Sequence, residues 1–242
     1  MPKATFLNLP DEKRLRITEL AIDEFSTHPY RQASLSRIVS RAGIAKGSMY
    51  QYFDNKLDLY QWLVVEELPR RRQAWLEHNG AGSGEDLFDT VEQRALTSIG
   101  FLLAHPRLAR LAATAMEPTS DAELRTLHET LRQEEIEQLT ETIREAQSRG
   151  EVRGELDPHA LAHMIEALVL HGLPQAVLAR SSLDVHGLLQ DPDRGREIEE
   201  EGWRELVRQS LALIRSGITA GKAHIPMDWH REEVPTPTVI ES

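Results

Sequence analysis

Residues 42–56 read AGIAKGSMYQYFDNK, and this stretch decides how the rest of the chain is understood. Just before it, Ser34 is a good helix N-cap, and Leu35, Ile38, Val39 and Ala42 fall at i, i+3, i+4 and i+7. That spacing predicts a short amphipathic helix. Gly43 supplies a turn residue free to take positive φ. A second short helix is then expected over residues 45–52. Two short helices joined at a glycine form a helix-turn-helix, whose second helix enters the DNA major groove while flanking elements hold phosphates. The residue choices agree. Gly47 removes a side chain where backbone must approach DNA, and Lys46 is long enough for a guanine edge or a phosphate. Ser48, Tyr50 and Tyr52 offer hydroxyls to phosphate oxygens. Lys56 adds positive charge beside the free N–H groups of the next helix.

Working outward, charge is distributed unevenly. The chain has 242 residues and a net charge of -11, which argues at first against an anionic partner. Residues 1–60, however, hold nine Lys/Arg against seven Asp/Glu, and the remainder holds 19 against 32. A mildly basic head on an acidic body suits a protein that meets nucleic acid only with its head, because phosphate affinity is set by the charges at the contact. There are no cysteines, which excludes disulfides, thiolate zinc sites and a cysteine nucleophile. No run of 18 apolar residues occurs, and MPKATFLNLPDEKR lacks a secretory core. A cytoplasmic protein with no membrane contact is the expectation.

Nearly every segment reads as helix, so the expected fold class is all-α. Pro10 and Asp11 open a helix carrying Ile17, Leu20, Ala21 and Phe25, and His28-Pro29 ends it. Asp54 or Asn55 caps a helix through Trp62 and Leu63, which Pro69 is expected to kink or end. Residues 78–86, HNGAGSGED, have linker composition. Helices are expected over 86–104, 107–117, 121–149 and 157–179. Residues 181–197 read as loop with a short turn near 185–189, and a last helix covers 197–217. The domain division is 1–60 for the DNA-reading head, 61–221 for a helical ligand-binding and dimerisation body, and 222–242 for an irregular tail.

The string SLSRIVSRAGIAKGSMYQYFDNK, within residues 14–59, resembles the DNA-binding domain of the TetR family of bacterial regulators. The shared pattern is a capping Ser/Thr, an Ala-Gly-Ile turn, Lys-Gly-Ser, Tyr-x-Tyr-Phe and a closing Lys. Three departures stand out: Pro29 where the family usually has glycine, Ala45 in place of a Ser/Thr cap, and Val39-Ser40 in place of the more usual pair. The loss of the Ala45 cap weakens that helix start by about 1 kcal/mol. The resemblance implies a two-fold dimer with a ligand pocket in its C-terminal domain. By position it makes Lys46, Gly47 and Gln51 base readers, and Ser34, Arg37, Ser48, Tyr50, Tyr52 and Lys56 backbone clamps.

Plainer readings stand beside these. Tyr50 could serve chiefly in packing, with its hydroxyl at the surface, and Phe53 belongs in the core. Arg70, Arg71 and Arg72 read as a solvated or salt-bridged face. His159 and His163 lie one turn apart with Glu166 nearby, but the expectation is no metal and no cofactor. No nucleophile–base pairing or phosphate-binding glycine loop suggests an enzyme. For a small-molecule effector the expected lining is Trp62, Phe101, His105, Met116, Met164 and His171. For a homodimer interface the apolar stripes propose Leu161, Ile165, Leu168, Trp203, Leu206, Val207, Leu211 and Ile214. The function expected is a homodimeric repressor that a small molecule releases from a palindromic double-stranded DNA operator. The alternative is a helical DNA-binding or interaction protein with no inducer.

Overall fold

A computed structural model describes residues 1–79, 86–117 and 119–219. Of the expected linker at 78–86, residues 80–85 lie outside the described residues, as does the tail from 222, while His78 and Asn79 end a helix and Asp86 caps the next. The helices are α1 (Ala4–Leu7), α2 (Asp11–Thr27), α3 (Leu35–Ala42), α4 (Lys46–Tyr52), α5 (Lys56–Trp62), α6 (Leu68–Asn79), α7 (Leu87–Ala104), α8 (Pro106–Met116), α9 (Ala122–Ser148), α10 (Pro158–Ala167), α11 (Leu173–Arg180), α12 (Val185–Gln190) and α13 (Glu200–Ile218). Among the described residues, extended pairing is confined to one antiparallel bridge between Val152 and Thr219. The all-α expectation holds.

The break predicted at Pro69 is not a break. The helix begun by α5 passes Pro69 and runs on to Asn79 through a π-helical turn at Leu63–Glu67. Proline lacks the N–H that would bond four residues back, and its ring crowds that carbonyl. The wider turn resolves this: the Leu68 N–H bonds five residues back to the Leu63 carbonyl, immediately ahead of the proline. The same device recurs at Leu168–Gly172, where the Leu173 N–H reaches the Leu168 carbonyl and Pro174 follows. Residues 181–197 are also more ordered than predicted. Asp184 caps α12 by accepting from the Gly187 N–H at 2.7 Å, and a 3-10 turn covers Pro192–Glu197.

Helix α7 is the axis of the body. None of its residues is exposed, because α6, α8, α9, α11, α13 and the 3-10 turn surround it. The 3-10 turn seats Gly195 against the end of α7, where an added Cβ would lie 2.5 Å from the Leu103 carbonyl oxygen. One apolar core joins Val91, Ala95, Ile99, Ile143, Ile165, Val177, Val207 and their neighbours. The stripe on α13 therefore finds its cover inside the chain. Trp203, Val207 and Leu211 are buried in this core, as are Leu161 and Ile165 of α10, while Leu168, Leu206 and Ile214 pack half-buried at its edge. These faces therefore have cover within the chain, α13 against α7 and α10 against α9, where the sequence reading looked to a second subunit.

The second core is not confined to the first 60 residues. Ile17, Phe25, Ile38, Met49, Phe53 and Leu59 of the head form one cluster with Phe101, Leu108, Leu111, Ala115 and Leu124 of the body. Phe6 on α1, invisible to periodicity in a four-residue helix, is fully buried in it. Burial of a side chain of that size contributes about 1.5–3 kcal/mol.

Candidate nucleic-acid interface

The turn between α3 and α4 is built as its sequence demands. The Ser34 side chain caps α3 by accepting from the Arg37 N–H at 3.4 Å. Gly43 ends α3 with φ of 68°, where a side chain would be strained, and the Ile44 N–H closes back on the Val39 carbonyl at 3.1 Å. Helix α4 starts from Ala45 without a side-chain cap, as read from the sequence. Met49 and Tyr52 turn inward and fix its rotation. That rotation leaves Lys46, Gly47, Tyr50 and Gln51 exposed on one side, with Ser48 half-buried. Tyr50 is 48% exposed, which places its ring at the surface rather than in the core.

Several expected clamps already have partners within the chain. Buried Glu24 accepts the Ser34 N–H at 2.7 Å and is ion-paired with Arg37. Burial alone would raise the Glu24 carboxyl, but the Arg37 guanidinium and the Ser34 N–H outweigh it and hold it below its ordinary value. Arg37 remains about half exposed, so it ties α3 to α2 while keeping a surface edge. The Lys56 ammonium donates to the Tyr30 carbonyl at 2.7 Å and the Ala33 carbonyl at 3.3 Å, and lies 4.2 Å from the Tyr30 ring centroid. Its first task is therefore to hold the loop after α2. Tyr52 is buried against Phe6, which turns most of its ring away from any outer partner. Asn55, rather than Asp54, caps α5 by accepting the Asp58 N–H at 2.9 Å.

Sequence reasoning missed the carboxylates behind the motif. Asp23 accepts from Arg41 of α3 at 2.5 Å and pairs with Arg107 of α8 at 3.1 Å, bridging head and body. Tyr30 donates to Glu123 at 2.8 Å and Arg31 pairs with Asp121 at 2.9 Å, adding two more ties to α9 and its N-cap. Deeper, the His128 ring donates from Nδ1 to the Glu117 carbonyl at 3.1 Å, so Nε2 accepts the Tyr60 hydroxyl, also at 3.1 Å. Burial holds this imidazole below its ordinary value, outweighing the favourable carbonyl bond.

The expected effector residues do not converge. Trp62 and Phe101 are core residues, Met116 and His171 are half-buried, and His105 and Met164 are exposed, the latter at 68%. A cavity of about 800 Å³ lies elsewhere, between the end of α2, α8, α11 and α12, with Phe25, His28, Arg110, Glu117, Leu178 and His186 in its wall. None of the six expected residues lines it. Arg70 and Arg71 both pair with Glu67, in keeping with a salt-bridged face. The His159 and His163 rings meet edge-on with centroids 4.8 Å apart. No group of three or more His, Asp or Glu poised for a metal exists among the described residues. No described helix is long and apolar enough to cross a membrane.

A capped helix, a left-handed glycine turn and a second helix with an exposed polar face define a helix-turn-helix DNA-binding protein. Residues 17–62 match the family described as "Bacterial regulatory proteins, tetR family", so the chain carries a DNA-binding domain of the TetR type. It is similar to a TetR family transcriptional regulator from Chloroflexus aurantiacus at 27% identity, covering 90% of this chain and 99% of that one with a TM-score of 0.73. It is 28% identical over 183 residues to the HTH-type transcriptional regulator YdgC of Bacillus subtilis, covering 67% of this chain and 93% of that protein. The probable acrEF/envCD operon repressor of Escherichia coli matches at 27% over 94 residues, 39% of this chain and 42% of that repressor's length. The fold is also that of FadR from Bacillus subtilis, solved in complex with stearoyl-CoA, at 21% identity, 80% and 96% coverage and a TM-score of 0.57.

Proposed function

We infer that the chain is a homodimeric repressor that binds an inverted-repeat DNA operator in the cytoplasm and leaves it when a small molecule binds the body. The observation that carries this reading is the exposed face of α4, where Lys46, Gly47, Tyr50 and Gln51 stand together on a helix fixed from behind by Met49. Lys46 and Gln51 suit base edges, and Tyr50 and Arg37 suit phosphates. One head reads one half-site, and two heads related by a two-fold axis read two, about 34–36 Å apart. The surface offered to a second copy is the outer side of α10, α11 and α13, where Met164 and Leu213 are exposed apolar side chains. The ion pairs of Asp23 with Arg41 and Arg107 give the body a direct hold on the head. Effector release draws support from the stearoyl-CoA complex of FadR, a protein of the same fold. To move the population from mostly competent to mostly incompetent, the effector must prefer one state by on the order of 5 kcal/mol.

Binding selection from random duplex DNA tests the proposal. Enrichment of an inverted repeat is expected. Lys46→Ala is expected to bind that duplex more weakly and to relax discrimination at one base pair of each half-site by about 1–3 kcal/mol. Enrichment of a single asymmetric half-site would count against the two-headed arrangement, and no enrichment at all would sink the reading.

A further inference from the structure

Helix α4 has seven residues and no side-chain cap at its start; Met49 and Tyr52 set its rotation, but so short a helix cannot hold its own last turn. Its last four carbonyls, those of Met49, Tyr50, Gln51 and Tyr52, need partners from outside the helix. The Met49 carbonyl accepts from the Phe53 N–H at 2.9 Å, as an ordinary C-cap. The other three are taken by one short segment about 50 positions earlier in the chain. The Lys3 ammonium donates to the Tyr50 carbonyl at 2.9 Å, the Thr5 hydroxyl donates to the Gln51 carbonyl, and the Lys3 N–H donates to the Tyr52 carbonyl at 2.9 Å. Lys3 also pairs with Asp54 at 2.6 Å, just beyond the helix. Its positive charge sits where the helix dipole is negative. Phe6 anchors the segment, with its ring centroid 4.9 Å from that of Phe53 and 5.2 Å from that of Trp62.

We propose that residues 3–6 form a clamp on the C-terminal end of α4, with Lys3 and Thr5 as positioning residues that hold Tyr50 and Gln51 where DNA is read. The two carbonyls bonded by side chains belong to the two exposed reading residues of the last turn. If that turn frays, Gln51 loses a fixed direction toward a base edge, while the charges that attract any duplex stay in place. The clamp therefore acts on discrimination more than on general affinity. This rests on the DNA-reading function of α4 proposed above, and the two are separable by experiment.

The test uses the full chain carrying Lys3→Met and Thr5→Val, which keep the side-chain bulk and remove the donors. Without DNA, amide hydrogen exchange of residues 50–53 is expected to quicken about tenfold or more while residues 35–42 stay unchanged. With DNA, the ratio of affinities for the duplex enriched by the wild type and a shuffled duplex of equal composition is expected to fall about tenfold, at an unchanged salt slope. Lys3→Arg, which retains a cationic donor, is expected to restore the ratio in the presence of Thr5. Unchanged exchange in residues 50–53 overturns the clamp whether or not the chain binds DNA. An equal weakening toward both duplexes, with a slope one unit shallower, also overturns it and makes Lys3 a phosphate ligand. Loss of the chain's cooperative thermal transition overturns it by making the segment a folding requirement. A wild type that enriches no duplex, with exchange nevertheless quickened in the variant, removes the reading function and with it the positioning role.

Discussion

The pair Tyr60 and His128 shows how much one proton can alter in this molecule. Both side chains are 2% exposed, and of the two neutral tautomers only the one with its proton on Nδ1 serves the Glu117 carbonyl. A second proton on Nε2 would face the Tyr60 hydroxyl, which now donates to it. The folded imidazole is held below the ordinary 6.5 by burial. Between the folded and unfolded values the unfolded chain binds the extra proton, so stability rises with pH. The contribution is fully present above about pH 6.5 and is lost as pH falls through that value toward the lower folded one. The thermal midpoint should thus drop between pH 7.5 and 5.5, and the drop should shrink in His128→Gln. Calorimetry at both pH values checks this, and equal drops in the two proteins would assign the acid sensitivity to other groups. The consequence reaches beyond stability, because Tyr60 lies on α5 below the head and His128 lies on α9 of the body.

At the scale of elements, the body depends on close approaches that allow no side chain. A Cβ at Gly195 would sit 2.5 Å from the Leu103 carbonyl oxygen, so Gly195→Ala must push the 3-10 turn off α7. We expect a cost of about 1–3 kcal/mol in denaturant unfolding. Gly217 on α13 is the control: nothing lies within 4 Å of its added Cβ, and Gly217→Ala should be neutral or stabilising by up to about 1 kcal/mol. Equal effects at the two sites would mean that the turn yields freely. The helices of the motif were legible because their signals are local: the Ser34 cap, the positive φ at Gly43 and the apolar spacing of α3. Helix α1 was not legible, since its four residues carry no side-chain cap and are held by Phe6 packing against rings some 50 positions away. Pro69 misled for a related reason. The rule that proline ends a helix assumes α geometry in the preceding turn, and here that turn is π.

For the molecule as a whole, the two sides of α13 have different fates. Leu211 is 7% exposed and faces α7, whereas Leu213 is 76% exposed and faces outward. Leu211→Glu should place an unpaired carboxylate in the core and abolish cooperative folding. Leu213→Glu should leave the helical signal intact and weaken self-association, with loss of operator affinity as the second head is lost. Sedimentation and circular dichroism on both variants decide this, and a fully associated Leu213→Glu protein would move the partner surface elsewhere. The apolar stripe of this helix was readable from its periodicity, but what covers it was not, because spacing records that a face is hidden and not what hides it. The effector residues fared differently: aromatic, methionine and histidine residues chosen by type scatter between core and surface. The shared core of the head has a consequence for exchange between proteins. Residues 1–60 look like a cassette that recombination or an engineer could graft onto a different body. Yet Phe25, Met49 and Leu59 belong to one cluster with Leu108, Leu111 and Leu124. A chimera cut near residue 60 would carry an open apolar wound on each half, which closes only if the residues of α7, α8 and α9 in this cluster, Phe101 among them, travelled with the reading head.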